Sequence, residues 1–190
     1  MAKRVFIVHG WDGSPERDWM PWAKKVLEEK GFEVHIPSMP DPSRPKIETW
    51  VPYLAKKIGE PDSQTILIGH SIGCQTILRY LQTIPTNEKF QKVILIAGWV
   101  SLTPIAVRKP EDQRVVKPWF EIPIDYEKVK SSAKKFVAVF SDDDPLVPYK
   151  ENSKTYKERL GAKIILKRGM GHFSQGEGVT KLPFLLDLID

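Results

Sequence analysis

A serine flanked by two glycines is the strongest chemical signal in this sequence. Residues 69–73 read Gly-His-Ser-Ile-Gly, after the strand-like run at 65–68 and before a segment with helical character. Glycines two positions before and after a serine permit a sharp strand-to-helix turn, because the backbone there comes too close to its neighbours for side chains. The turn exposes the hydroxyl, and the first free N–H groups of the helix point to where an oxyanion would form. The pattern predicts Ser71 as a nucleophile, with the N–H of Ile72 as one oxyanion-hole donor.

A serine hydroxyl is a weak nucleophile, so the motif requires a carboxylate and a histidine base, arriving later in the chain in the order Ser, Asp, His. The sequence contains four histidines. His172 alone lies in a short glycine-flanked loop after the last predicted strand, and it is therefore the predicted base. His9 and His70 lie next to the two predicted site turns and are expected to pack beside the site. His35 lies in a strand-like segment in which apolar and polar residues alternate, and it is expected to be a strand residue that faces solvent or a helix.

Three consecutive aspartates, Asp142, Asp143 and Asp144, follow another strand-like run, and any of them could reach the histidine. Pro145 fixes the backbone immediately after Asp144, which favours Asp144 as the orienting carboxylate. The triplet lacks the glycine and the distal glutamate of a calcium loop, and no cysteine or histidine pair has zinc spacing. We therefore expect no metal. Because a serine triad needs no organic cofactor, we expect no cofactor of any kind.

The loop after the first predicted strand contains a candidate for the second oxyanion donor. The apolar run at 5–8 is followed at 9–13 by His-Gly-Trp-Asp-Gly. A backbone N–H in such a loop can complete an oxyanion hole, and the N–H of Trp11 is the candidate. The alternative is that Gly10 and Gly13 only form a tight turn between strand and helix.

Together these motifs resemble those of the α/β-hydrolases, and within them the family of small serine hydrolases that includes the retinoblastoma-binding protein nine. The resemblance spans nearly the whole chain and is specific in order and spacing. It rests on His-Gly-Trp at 9–11, Gly-His-Ser-Ile-Gly at 69–73, Pro-Trp-Phe at 118–120 with Tyr-Glu-Lys-Val at 126–129, Asp-Asp-Pro-x-x-Pro at 143–148, and Gly-His-Phe at 171–173.

The resemblance implies a compact sheet without a large lid domain and a triad of Ser71, Asp144 and His172. It also implies hydrolysis of small carboxylic esters through an acyl-enzyme, with amides and thioesters as further candidates. One departure matters, because the single cysteine is Cys74 and no Leu-x-Cys-x-Glu segment exists, so binding of pocket proteins is not implied. The alternative function is a non-catalytic binding protein on a retained hydrolase scaffold, since fold alone does not prove turnover.

The alternation of strand-like and helical segments predicts an α/β fold. Right-handed crossovers then produce a doubly wound, mostly parallel six-stranded sheet with helices on both faces, in the order 2-1-3-4-5-6. All predicted site residues follow the carboxyl ends of strands, where open α/β sheets bind ligands. The predicted strands cover residues 4–9, 32–37, 65–69, 92–97, 136–141 and 162–167.

Length and composition fit one domain over residues 1–190, with 41% hydrophobic and 28% charged residues. Residues 99–131 fit the alternating pattern least, because they form a long connection rich in proline and aromatic residues. Long irregular segments in compact domains are often functional. We expect a short cap-like insertion here whose aromatic side chains form one wall of the pocket. The alternative is a surface excursion that docks its aromatic side chains on the core.

The net charge of +5 does not indicate nucleic-acid binding, because basic residues alternate with acidic ones along helical segments, as on solvated surfaces. No apolar run reaches the roughly 18 residues of a membrane span, and the first apolar run is too short for a signal peptide. A single cysteine forbids an internal disulfide. We expect a cytoplasmic monomer or small homo-oligomer that acts on a small-molecule ester or amide, without a membrane or nucleic-acid partner.

Overall fold

The computed structural model describes residues 3–85 and 89–189; the two ends of the predicted domain and residues 86–88 lie outside that part. Within it, strands and helices alternate along the chain. The strands are β1 Arg4–Val8, β2 Glu33–His35, β3 Ile66–His70, β4 Lys92–Ile96, β5 Phe136–Ser141 and β6 Lys163–Lys167. The helices are α1 Met20–Glu29, α2 Ile47–Ile58, α3 Ile72–Leu81, α4 Pro110–Glu121, α5 Tyr126–Ser131, α6 Tyr149–Leu160 and α7 Leu185–Ile189, with 3-10 helices at Pro104–Val107 and Gln175–Glu177.

The six strands form one sheet in the order β2-β1-β3-β4-β5-β6, and every pairing is parallel. This confirms the predicted fold class and strand order. Strand β2 is shorter than predicted and pairs with β1 only from Glu33 to His35. It lies at the edge of the sheet, and Pro37 has no N–H with which to continue the ladder. No helix in the part of the chain that the structure describes is long and apolar enough to cross a membrane.

Alternating strand residues contribute to two buried hydrophobic cores, one on each face of the sheet. In β1, Phe6 and Val8 point into one core, and Val5 and Ile7 point into the other. Because successive side chains of a strand point to opposite faces, both faces of this apolar strand require helical cover. Helices α2, α3, α5 and α6 contribute buried residues to the first core, and helices α1 and α7 contribute to the second.

The start of α3 lies directly against the backbone of β1. A Cβ atom on Gly73 would touch the carbonyl oxygen of Val8 and lie 2.7 Å from that of His9. Real Cβ atoms do not come so close to backbone oxygens, so only glycine permits this approach. The contact sets the distance between the turn that contains Ser71 and the loop that follows β1.

We expect Gly73→Ala to destabilise the protein by about 1–3 kcal/mol, the usual cost of forcing extra atoms into a packed site. The backbone of strand β1, which is paired with β2 and β3, cannot move aside as a flexible side chain would. The measurement is chemical denaturation. Gly176→Ala is the matched control, because its Cβ atom would meet only Ser174 Oγ at 3.5 Å. Equal stability of the two variants would contradict the close approach.

Candidate active site

A cavity of about 600 Å³ opens at the carboxyl edge of the sheet. Four of the predicted site residues line it: Trp11 after β1, Ser71 and Ile72 after β3, and His172 after β6. The fifth, Asp144, lies behind His172, with a side chain that is only 2% exposed. A larger groove of about 1170 Å³ beside α1 and β2 contains none of them. The smaller cavity is therefore the candidate active site.

Ser71 occupies a backbone conformation that L residues rarely adopt, with φ +53° and ψ −120°. Its N–H donates to the carbonyl of Ile96 in β4 at 2.9 Å, which anchors the turn to the sheet. Two further non-glycine residues that line the cavity, Asp12 and Asp18, also have positive φ. Strained backbone persists only where the surrounding structure enforces it, and it concentrates at functional sites.

His172 and Asp144 form a hydrogen-bonded pair, with 2.9 Å between Nδ1 of the imidazole and Oδ2 of the carboxylate. The other oxygen, Oδ1, accepts hydrogen bonds from the N–H groups of Leu146 and Val147 at 2.8 and 3.0 Å. The backbone of the turn that follows Asp144 thus fixes the orientation of the carboxylate that contacts the imidazole. A neutral imidazole that donates from Nδ1 has its lone pair on Nε2, which makes Nε2 the atom able to accept a proton.

The other two aspartates contact backbone instead of the imidazole. Asp142 Oδ1 accepts a hydrogen bond from the N–H of Gly169 at 3.0 Å, and Asp143 Oδ1 accepts from that of Gly171 at 2.9 Å. Hydrogen bonds from the Ser141 hydroxyl and from Gly171 lower the pKa of Asp143. Of the three alternatives left open by the sequence, the structure places Asp144 against the histidine.

His70 and His9 are buried and pack beside the cavity, as the sequence indicated. Burial, together with nearby His172, lowers the pKa of His70 to about 4. The neutral ring therefore donates from Nε2 to the carbonyl of His172 at 2.8 Å, which ties β3 to the loop after β6. Burial also lowers the pKa of His9. Its Nε2 accepts from the N–H of Met39 at 3.1 Å, so Nδ1 donates to the Gly10 carbonyl at 2.8 Å.

The loop after β1 contains the tight turn expected from Gly10 and Gly13, and it also places Trp11 at the cavity. The N–H of Gly13 donates to the carbonyl of Gly10 at 3.1 Å, which closes a tight turn. Among the residues that the structure describes, none accepts a hydrogen bond from the N–H of Trp11. Ile72 is the first residue of α3, so its N–H precedes the first intrahelical hydrogen bond. Both N–H groups are available to a ligand.

A proline-rich loop at residues 37–45 packs beside the site, and three of its backbone carbonyls accept hydrogen bonds from tryptophan ring N–H groups. Sequence analysis did not predict these contacts. The ring N–H of Trp11 donates to Ser43 at 3.0 Å, that of Trp50 to Pro40 at 2.7 Å, and that of Trp119 to Pro45 at 3.2 Å. The four prolines of this loop restrict its backbone, because each fixes its own φ. Nothing in the sequence indicated which indoles would bind it, because a free carbonyl has no side-chain signature.

Segment 99–131 contributes one wall of the cavity, but that wall is mostly aliphatic and charged. Of its aromatic side chains, Trp99 lines the cavity, whereas Trp119 is buried away from it and Phe120 is 44% exposed. The other lining residues from this segment are Leu102, Ala106, Lys109, Asp112 and Val116. The expected aromatic wall is thus reduced to Trp99, because the indole of Trp119 is engaged with the proline-rich loop.

Four polar side chains from other segments also line the cavity: Asp12, Arg17, Asp18 and Gln175. Asp18 and Gln175 are joined by two hydrogen bonds, each from a backbone N–H to the other side chain, at 2.9 and 3.3 Å. The described residues contain no group of three His, Cys, Asp or Glu side chains placed to hold a metal ion. The cavity is therefore lined by Ser71 and His172, with Asp144 hydrogen-bonded to His172, and by a mixture of apolar, polar and charged side chains.

Comparison with known proteins gives matches over the whole fold. The family model for serine hydrolases matches residues 5–190. YdeN of Bacillus subtilis strain 168 is 31% identical over 189 residues, which cover 100% of this chain and 95% of YdeN. The serine hydrolase RBBP9 of Rattus norvegicus is 29% identical over 170 residues, 89% of this chain and 81% of the rat protein.

Solved structures have the same fold. The crystal structure of the Bacillus subtilis ydeN gene product superposes with a TM-score of 0.89 at 30% identity, over 99% of this chain and 97% of that chain. Est1E from Butyrivibrio proteoclasticus, in its complex with ferulic acid, has a TM-score of 0.72 at 17% identity, over 99% and 90% of the two chains. The second likeness concerns the fold alone.

We expect Asp144→Asn to lower turnover by a factor on the order of 10⁴, as loss of the orienting carboxylate does in a serine protease. Asp142→Asn and Asp143→Asn should stay within roughly tenfold of the parent, a barrier change of about 1.4 kcal/mol, because an amide oxygen still accepts from Gly169 or Gly171. Steady-state kinetics on a chromogenic ester, after thermal melts show folded variants, is the measurement. A dead Asp143→Asn beside an active Asp144→Asn would reverse the assignment.

Cys74 follows Ser71 by three residues on α3 and is expected to be a packing residue. It is fully buried, burial raises the pKa of its thiol, and its Sγ lies 3.4 Å from the carbonyl of Ile96. We expect native protein to resist iodoacetamide at about pH 8, near the ordinary pKa of a thiol, and unfolded protein to react. Cys74→Ala should keep most hydrolytic activity. Rapid alkylation of the folded protein, detected by mass spectrometry, would contradict this.

Proposed function

This chain belongs to the serine hydrolase family, and we propose that it cleaves small carboxylic esters through a Ser71–His172–Asp144 triad and an acyl-enzyme intermediate. One observation carries the proposal. The 2.9 Å pair of His172 Nδ1 with a nearly buried Asp144 leads into the same cavity in which Ser71 is held in a strained turn. Amides and thioesters are further candidate substrates, since the same chemistry cleaves them.

In the proposed mechanism, Ser71 Oγ attacks the acyl carbonyl carbon while His172 Nε2 takes its proton. The imidazolium is stabilised by Asp144, which remains ionised. The tetrahedral intermediate collapses, the C–O bond to the leaving group breaks, and Nε2 returns its proton to the departing alcohol. Water then attacks the acyl-enzyme with Nε2 as base, which releases the carboxylic acid and restores the Ser71 hydroxyl.

The proposed oxyanion hole consists of the N–H groups of Trp11 and Ile72. Its support is that both lie at the cavity and neither is committed to an acceptor in the described parts of the chain. Backbone donors held by a helix start and by an anchored loop need no reorganisation when charge develops on the substrate oxygen. The loop that contains Trp11 is anchored because the N–H of Asp12 donates to the carbonyl of Pro42 at 2.9 Å.

We propose one domain in which residues 99–131 act as a short cap, supported by the lining residues that this segment contributes. We propose a monomer or small homo-oligomer in the cytoplasm, with a small ester or amide as the partner. A buried, unpaired Cys74 supports the location, because it requires no oxidising compartment.

We expect a fluorophosphonate probe to label the purified protein at Ser71, located by peptide mass spectrometry, because the probe reacts with an activated serine hydroxyl. Ser71→Ala should abolish labelling and ester hydrolysis with little change in melting temperature. A panel of acyl esters, thioesters and aminoacyl amides, run with both proteins, would then rank the substrate classes.

Two outcomes of that experiment would count against the proposal. Labelling that survives Ser71→Ala would move the nucleophile elsewhere. Absence of both labelling and turnover in the parent, with ligand binding in the cavity retained, would favour the alternative of a binding protein on a hydrolase scaffold.

A further inference from the structure

In the loop that contains His172, four consecutive backbone N–H groups are hydrogen-bonded to side chains. Each of these donates to a side-chain oxygen at 2.7–3.0 Å. Three of the acceptors belong to the segment that ends β5, and the fourth comes from the 3-10 helix that follows the loop. The pairs are Gly169 with Asp142, Met170 with Ser141, Gly171 with Asp143, and His172 with Glu177.

The fourth acceptor, Glu177, makes the shortest of these hydrogen bonds. Its Oε2 accepts from the N–H of His172 at 2.7 Å, from the Ser174 hydroxyl at 2.9 Å and from the Ser174 N–H at 3.3 Å. The carboxylate also packs against Gly171, which has φ +50° and on which a Cβ atom would lie 2.5 Å from Glu177 Oε1. The glycine leaves the space that the carboxylate occupies.

His172 is consequently held at three of its polar groups. Glu177 binds its N–H, His70 binds its carbonyl at 2.8 Å, and Asp144 binds its Nδ1. Asp143 accepts from the N–H of Gly171, the residue before His172. The carboxylates of Asp143 and Glu177, which come from different segments, therefore fix the two peptide groups on either side of the Cα atom of Gly171. Fixing the backbone of a residue fixes the origin of its side chain, and a misplacement of about 1 Å at a catalytic group can cost roughly 100-fold in rate.

We propose that Glu177 is a positioning residue for His172, acting through the backbone N–H of the base and without contact with the imidazole. The inference rests on the proposed function, in which His172 is the base. Glu177 also forms a capping box with Ser174, which by itself would be a purely structural role. The two roles predict different kinetics.

The test compares Glu177→Ala, Glu177→Asp and Glu177→Gln with Glu158→Ala, an exposed glutamate on α6 that removes the same charge away from the site. We expect Glu177→Ala and Glu177→Asp to lower kcat by about 10- to 100-fold with KM nearly unchanged, because the acceptor is lost or too short to reach. Glu177→Gln keeps an oxygen in place and should recover kcat to within about threefold of the parent. Glu158→Ala should match the parent.

A double-mutant cycle with Asp144→Asn separates positioning from general stability. If Glu177 acts through the base, Glu177→Ala should cost little more once Asp144→Asn has already misoriented the imidazole, because residues acting as a unit are non-additive. Equal losses in both backgrounds would overturn the proposal. Parental kcat in Glu177→Ala would also overturn it, as would parental kcat in Glu177→Asp if the alanine variant fails to fold.

A spectroscopic measurement distinguishes failure of this inference from failure of the proposed function. The low-field proton resonance of His172 Nδ1–H reports the hydrogen bond to Asp144 whether or not the protein turns over an ester. We expect this resonance in the parent, Glu177→Gln and Glu158→Ala proteins and its broadening or loss in Glu177→Ala. An unchanged resonance in Glu177→Ala would refute the positioning role even if Ser71 is a proven nucleophile.

Discussion

The contact between the start of α3 and the backbone of β1 is the constraint on which the site depends. Gly73 lies against the carbonyls of Val8 and His9, so the turn that holds Ser71 and the loop that holds Trp11 are set at one fixed separation. A hydroxyl and two convergent N–H groups can act on one carbonyl only if that separation is right. Direct packing of one backbone on another keeps that separation fixed, because a backbone, unlike a side chain, has no alternative rotamers.

Helix α3 connects this contact to the segment over the cavity. Its first turn follows Ser71, and further along the helix two buried polar side chains reach carbonyls of segment 99–131. Gln75 donates to Trp99 at 2.6 Å, and Arg79 donates to Trp119 and Ile122 at 2.7 and 2.8 Å. A buried guanidinium is costly unless hydrogen-bonded, so these contacts resist separation of the segment from the helix. Ser71 and segment 99–131 therefore share one support.

Burial also assigns the roles of the histidines. His70 and His9 are enclosed and neutral, so each uses one ring N–H as a donor to a backbone carbonyl of the site. His172 keeps a partly exposed ring whose Nδ1 is paired with the carboxylate of Asp144. Of these three imidazoles, two thus hold backbone groups and one is paired with a carboxylate.

The amino-acid sequence determined the features that arise from neighbouring residues. The strand-turn-helix around Ser71, the parallel order of the strands and the position of His172 after the last strand follow from local patterns and from the handedness of crossovers. Tertiary structure decided which aspartate meets His172, because that depends on how residues 141–144 pair with residues 169–172. It alone revealed Glu177, since the group it binds is a backbone N–H, which nearly every residue has and no sequence pattern distinguishes.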